Sequence, residues 1–306
     1  MRIVSVGEIL WDVFQTQEIL GGAPLNFSVN SHRLGNSVIM VSAVGRDERG
    51  KHAIELVRSL GLTTELILTT SLQSTGIAIV NTDADGNATF VIDRPAAFDF
   101  VYADDQVTER VREFRPEWIY FGTLTHTNPQ AERVLNEMIR DSSEAKCFYD
   151  MNLRKGHWNL GLVERLSRVS TVVKLNDTEA ELLFGLLHQG QAFSLEEFCT
   201  HWSTRFGVKT ICVTLGDKGC AIFGENILQY FPGYQIKVVD TVGAGDAFAA
   251  GFLHGLHGGW TMERIAAFAN SLGATVASRP GATPPWSLDD LEEIRSTVGG
   301  APFAPR

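Results

Sequence analysis

The residues with the most chemistry to offer are Asp240-Thr241-Val242-Gly243-Ala244-Gly245-Asp246, between a strand-like run at Gln235–Val239 and an apolar helical pattern at Ala247–Leu256. Glycines at a helix N-terminus let backbone N–H groups approach an anion, and the helix dipole adds to the attraction. The segment therefore reads as a phosphate cradle with a carboxylate at its edge. A plainer reading is a glycine-rich turn in which Asp246 starts the helix. A dinucleotide-binding fingerprint does not fit, because Phe248 stands three positions after Gly245, where Gly or Ala is required.

Three further segments invite the same scrutiny. Asn176-Asp177-Thr178-Glu179 has the polar residue and following Glu of a capping box. Thr214-Leu215-Gly216-Asp217-Lys218-Gly219 lies between the apolar runs Ile211–Thr214 and Cys220–Phe223, and by its own chemistry is a turn between strands. Gly45-Arg46-Asp47-Glu48-Arg49-Gly50-Lys51-His52 nearly spells a P-loop. Its intervening residues are all charged, and His52 replaces the Ser or Thr that would reach Mg²⁺, so it is rejected as a nucleotide site. His254 and His257 share a helix face but lack a third ligand type nearby, so no zinc site is expected.

The elements that must position these residues follow from periodicity. Arg2–Val6, Val38–Val44, Trp118–Phe121, Cys147–Tyr149, Val172–Leu175 and Ile211–Thr214 read as buried strands, and Lys51–Leu60, Ala131–Ile139 and Leu195–Phe206 as helices. The alternation predicts an α/β fold with a mostly parallel, doubly wound sheet and helices on both faces. Ligands of such sheets bind beyond the carboxyl ends of the strands. Thr75–Asn81 and Ala88–Ile92, around the turn residues Asp83–Asn87, predict an inserted β-hairpin. Val13–Leu20 supplies a further strand of the same small sheet, a flap that closes over the crevice.

Composition limits the partners. The chain has 306 residues and a formal net charge of −10, with 44% hydrophobic and 20% charged residues. It is long enough for a sizeable core, and it has no broad basic field for nucleic acid or an anionic membrane. Four cysteines without a C-x-x-C pattern read as reduced thiols. The first apolar run is cut short by Glu8 and Asp12 and has no leader character, and no run approaches a membrane span, so a cytoplasmic protein is expected. The N-x-S/T matches at Asn26, Asn87 and Asn176 are then coincidental.

At this point the chain resembles the ribokinase-like, or PfkB, family of sugar and nucleoside kinases, whose hallmark is D-T-x-G-A-G-D. The resemblance extends through Gly7-Glu8-Ile9-Leu10-Trp11-Asp12, Gly21-Gly22-Ala23-Pro24-Leu25-Asn26, Arg33-Leu34-Gly35 and Val44–Gly50, and is most similar to bacterial fructokinases. It implies one kinase domain over residues 1–306, with a core of about 1–11, 23–74 and 101–306 and a β lid of about 12–22 and 75–100. The lid is also the surface through which a homodimer would form.

The resemblance implies the following roles. Asp246 is the general base for the sugar hydroxyl, and the amides of Gly243, Ala244 and Gly245 form the anion hole. Asp12, Gly22 and Asn26 bind sugar hydroxyls. Asn176 and Glu179 match the N-x-x-E motif, in which Glu179 organises Mg²⁺ through water near the phosphates of ATP. Thr214, Gly216 and Gly219 face the nucleotide, with Asn270 near the adenine. Arg154, in the D-x-N-x-R stretch from Asp150, and Arg94, in a region similar to R-x-P-A-A-D, meet phosphate or sugar. Phe98 stands where the acid of that last motif is expected, a departure from the pattern. Asp240 and the Ser278–Ala282 turn resemble the loop that holds K⁺ in some members. The implied activity is ATP-dependent phosphorylation of a primary hydroxyl, that of fructose first. A 2-keto-3-deoxygluconate kinase, another ribokinase-like kinase, or a catalytically silent sugar- or nucleotide-binding regulator are the alternatives, and intact Asp246 argues against the last.

Overall fold

A computed structural model describes residues 1–82, 88–102 and 105–296; the expected turn at Asp83–Asn87 lies outside the described residues. Contacts divide the chain into two compact units, Met1–Ala145 and Lys146–Arg306.

The N-terminal unit runs β1 (Arg2–Val6), β2 (Leu10–Val13), β3 (Glu18–Gly21), α1 (Ala23–Arg33), β4 (Ser37–Gly45), α2 (Glu48–Ser59), β5 (Ile67–Thr70), β6 (Gly76–Thr82), β7 (Ala88–Ile92), α3 (Asp105–Phe114), β8 (Trp118–Gly122) and α4 (Pro129–Asp141). Strands β5, β4, β1 and β8 lie side by side and parallel. The interiors of β4, β1 and β8 are almost wholly buried, as parallel strands covered on both faces must be, while the edge strand β5 is partly exposed. A separate small sheet has the order β3-β2-β6-β7. Its inner face packs Leu10, Ala78 and Ile92 on Ala96, Phe98 and Leu124. The expected hairpin strands form. The segment after β1 yields two strands rather than one, joined by a turn in which the Phe14 N–H donates to the Gln17 carbonyl at 2.9 Å.

The C-terminal unit runs β9 (Lys146–Asp150), α5 (Leu160–Arg168), β10 (Val172–Asn176), α6 (Asp177–Leu187), α7 (Leu195–Phe206), β11 (Thr210–Thr214), β12 (Cys220–Gly224), β13 (Ile227–Phe231), α8 (Ala244–His257), α9 (Met262–Ala277) and α10 (Leu288–Ser296). Strands β9, β10 and β11 are parallel, while β12 and β13 continue the sheet antiparallel. Apart from Gln235–Val239, the expected strands and helices of the two units stand within a few residues of their predicted bounds.

One expectation fails here, and one strand carries none. Gln235–Val239 forms no strand: Val238 and Val239 are more than half exposed, and the Val239 N–H donates to the Ala277 carbonyl at the end of α9. A β-branched run without a neighbouring ladder stays irregular. Strand β13 was not anticipated. Its signal is Glu225-Asn226, both at positive φ as a two-residue hairpin turn requires, ahead of Ile227–Phe231.

Candidate active site

In the N-terminal unit the first polar set gathers where β2, β3 and α1 meet. Gly22 is the N-cap of α1, with φ 113. A Cβ there would stand 2.4 Å from the Glu8 carbonyl oxygen, so only glycine lets the chain pass. Asp12 lies on β2 with its carboxylate against Gly21, where a Cβ would come within 2.7 Å of Oδ2. Asn26 sits one turn into α1, its N–H donating to the Gly22 carbonyl at 2.9 Å. Asp12, Gly22 and Asn26, expected to act together, are thus brought together and buried.

The expectation of the acid at position 98 is corrected: counted from Arg94, the acid of R-x-P-A-A-D falls at Asp99, and it is the proline that stands one residue early. Asp99, 2% exposed, takes the Arg94 guanidinium in a two-pronged ion pair and accepts from the Ala96 N–H at 2.9 Å. Arg94 also donates to the Leu124 carbonyl and to Thr127 Oγ1. The short 3-10 turn Thr125–Thr127 joins this knot to the segment between β1 and β2, because Thr125 Oγ1 donates to the buried Glu8 carboxylate at 2.9 Å. Asp99 carries no sequence expectation, and Glu8 enters the sequence reading only as a member of the Gly7–Asp12 segment, without a role. Within the turn, between Thr125 and Thr127, His126 is buried, with Nδ1 2.7 Å from the Gly122 carbonyl. A carbonyl only accepts, so Nδ1 carries the proton. Burial pushes the imidazole pKa down to about 4.

The near-P-loop serves architecture. Asp47 caps α2 through the Gly50 N–H, and accepts from the N–H and hydroxyl of Thr75 at 2.8 and 2.7 Å. It ties β4 to the start of β6.

In the C-terminal unit, α8 begins at Ala244 rather than Ala247. Gly243 is its N-cap, left-handed at φ 78, and no side chain caps it. A Cβ on Gly243 would lie 2.0 Å from the Ala282 carbonyl oxygen. Asp246 is therefore not the helix-start residue of the plainer reading; it lies in the first turn, buried. Among the described residues the N–H groups of Gly243 and Gly245 meet no acceptor, whereas that of Ala244 donates to the Thr241 carbonyl at 3.3 Å. Asp240 fastens this loop to the Ser278–Ala282 turn, accepting from the Val242 and Gly281 N–H groups at 3.0 Å each.

The capping box forms in full: Asn176 Oδ1 accepts from the Glu179 N–H at 2.8 Å, and Glu179 Oε2 from the Asn176 N–H at 2.9 Å. Glu179 Oε1 accepts from the Leu153 N–H at 2.6 Å, which holds the loop that carries Arg154. Burial pushes the Glu179 pKa up, opposed by those N–H bonds and by Lys174. Thr214, Gly216 and Gly219 lie on the turn between β11 and β12, with both glycines at positive φ. Asn270, on α9, donates through Nδ2 to the Pro232 carbonyl at 3.1 Å, so its amide also braces the chain beyond β13.

Sequence reasoning passed over Lys174, a lone charge inside an apolar strand. It stands opposite Asp150 in the register of β9 and β10, and its ammonium donates to both carboxylate oxygens. Burial works against that ammonium, but Asp150, with Asp246 and Glu179, outweighs it and raises the pKa above the ordinary lysine value.

This architecture matches solved structures over nearly their whole length. The ATP-bound fructokinase of Xylella fastidiosa superposes with a TM-score of 0.83 at 22% identity, covering 97% of this chain and 98% of that one. The 2-dehydro-3-deoxygluconokinase of Thermotoga maritima gives 0.85 at 20% identity, covering 97% and 99%. The fold is ribokinase-like, a mostly parallel sheet with helices and a smaller separate sheet. Residues 3–289 match the pfkB family of carbohydrate kinases, and the chain belongs to that family. Among curated relatives, fructokinase-1 of rice is 28% identical over 322 aligned positions, covering 96% of this chain and 98% of the relative. The protein is a carbohydrate kinase.

Proposed function

We propose that the enzyme transfers the γ-phosphoryl group of ATP to the primary hydroxyl of a neutral sugar, D-fructose above others. The observation that carries this reading is Asp246, a buried carboxylate in the first turn of a helix whose N-terminal Gly243 and Gly245 amides meet no acceptor among the described residues. Those amides receive the charge that develops on the phosphoryl oxygens, and Ala244 joins them by releasing its long bond to Thr241. Asp246 takes the proton of the attacking hydroxyl. That hydroxyl oxygen bonds to the γ-phosphorus as the bond to the bridging oxygen breaks, leaving the electron pair on ADP.

Asp12 and Asn26 supply the acceptors and donors for sugar hydroxyls, and Gly22 lets the backbone approach. The small four-stranded sheet is the lid over the sugar. Arg94 is already neutralised by Asp99, so it offers no unpaired cation to a sugar acid. This favours fructose over 2-keto-3-deoxygluconate, with Arg154 left as the cation nearest in sequence to the D-x-N motif. Thr214, Gly216, Gly219 and Asn270 face the nucleotide. Mg²⁺, which neutralises phosphate charge when bound, commonly keeps its waters and few protein ligands. Glu179 fits that habit, since both its oxygens already accept backbone N–H bonds and a water-bridged contact suits it better than direct ligation. Asp240 and the Ser278–Ala282 turn are the proposed K⁺ loop.

A panel of sugars with purified enzyme and ATP tests the reading. The highest kcat/KM is expected on fructose; a higher value on 2-keto-3-deoxygluconate would reassign the substrate, and none on any sugar would remove the assignment.

A further inference from the structure

Lys174 is the sole charged residue of β10, and its pair with Asp150 is almost wholly buried, with side chains 9% and 2% exposed. A pair this deep is costly to desolvate, and apolar replacements of similar volume often serve stability as well, so stability alone is a weak reason for it. An ammonium has three N–H donors. The two bonds Lys174 makes go to the one carboxylate, at 2.9 and 3.1 Å, and among the described residues no acceptor meets its remaining hydrogen. Its Nζ also lies 3.7 Å from the point where a Cβ on Gly245 would stand, beside the amides that meet no acceptor.

We propose that Lys174 is a further catalytic residue, whose remaining N–H donates to an oxygen of the phosphoryl group in transit at Gly243–Gly245, and that Asp150 is the residue positioning it. The proposal rests on the kinase reading above. In the transfer, the acceptor oxygen bonds to the γ-phosphorus, the bond to the β–γ bridging oxygen breaks with its electrons kept by ADP, and the acceptor proton goes to Asp246. Lys174 neither gives nor takes a proton; it supplies fixed positive charge, and the neighbouring carboxylates keep it charged.

Lys174→Met removes the charge and keeps the length of the side chain, and is expected to lower kcat by about 10²- to 10³-fold with small changes in KM, as loss of one preorganised donor does. Because it takes the ammonium away from the buried Asp150 carboxylate, Lys174→Met/Asp150→Asn is measured beside it; folding is checked by circular dichroism. The double variant is expected to fold and to stay as slow. Near-wild-type turnover in either variant would overturn the proposal. Calorimetric binding of ADP, with MgCl₂ and with or without aluminium fluoride, gives an arm that needs no sugar. Lys174→Met should weaken the fluoride complex and spare ADP alone; equal effects on both would also overturn it. A wild type that binds ADP with aluminium fluoride but phosphorylates no sugar would fail the acceptor assignment, and this arm would still judge the lysine.

Discussion

Asp246 is the residue on which the proposed chemistry turns, and its place in the first turn of α8 separates two roles by one substitution. As a mere favourable charge at a helix N-terminus it would contribute about 0.3–1 kcal/mol to stability, and Asn would cost little in rate. As a general base it contributes about 10²- to 10⁴-fold to turnover. Asp246→Asn is therefore expected to lower kcat by that order while melting temperature and ATP binding stay near wild type. Steady-state kinetics with calorimetry decides it, and wild-type turnover would refute the role. The Arg94–Asp99 pair belongs to the same scale: the carboxylate, five residues after Arg94 as in R-x-P-A-A-D, holds the guanidinium at both prongs.

At the scale of elements, two joints hold the functional segments. The 3-10 turn Thr125–Thr127 links the segment between β1 and β2 to the stretch after the hairpin, and His126 lies at its centre. Its folded pKa, about 4, lies below the ordinary 6.5, so the unfolded chain binds the extra proton between those values. Stability is then full above pH 6.5 and falls as pH drops toward 4, by about 3 kcal/mol in all. His126→Asn, which keeps a donor for the Gly122 carbonyl but does not titrate, should flatten that decline in urea unfolding series across the window; an unchanged slope would assign it elsewhere. The second joint is Asp240, which ties the loop before α8 to the Ser278–Ala282 turn. A K⁺ ion held there would order the amides of the anion hole, so modest activation by K⁺ over Na⁺ is expected. Equal rates across a saturating titration of either ion would count against it.

For the molecule as a whole, the small sheet presents an apolar face. Ile79 and Val91 are cross-strand partners on β6 and β7, and they are 42% and 55% exposed. Side chains paired on one face and left to water are suited to a second copy of the same sheet. We expect a homodimer through this face. Sedimentation should report a dimer for the wild type and a monomer for Ile79→Asp/Val91→Asp; a wild type that sediments as a monomer at micromolar concentration would refute it. The net charge of −10 suits a partner that brings its own anionic groups only if local devices receive them, and the amides before α8 and the buried Lys174 are such devices.

Much of this was legible in one dimension. Periodicity marks which face of an element is buried, so β1, β4, β8 to β11 and α7 could be read directly, and the Gly243–Asp246 loop announced a helix start and an anion. The family followed from motif order. What one dimension does not carry is the partner across a strand or a turn. Lys174 meets Asp150 because β9 and β10 are adjacent and in register 24 residues apart, and only that pairing turns a costly buried charge into a fixed one. Gln235–Val239 has strand-like composition and no ladder; its Val239 N–H turns to the end of α9 instead. The acid expected at position 98 stands at Asp99, and only the fold shows that this carboxylate closes on the Arg94 guanidinium and the Ala96 N–H. Local composition determined the elements and the glycine loop; long-range register and close approach decided which charges meet.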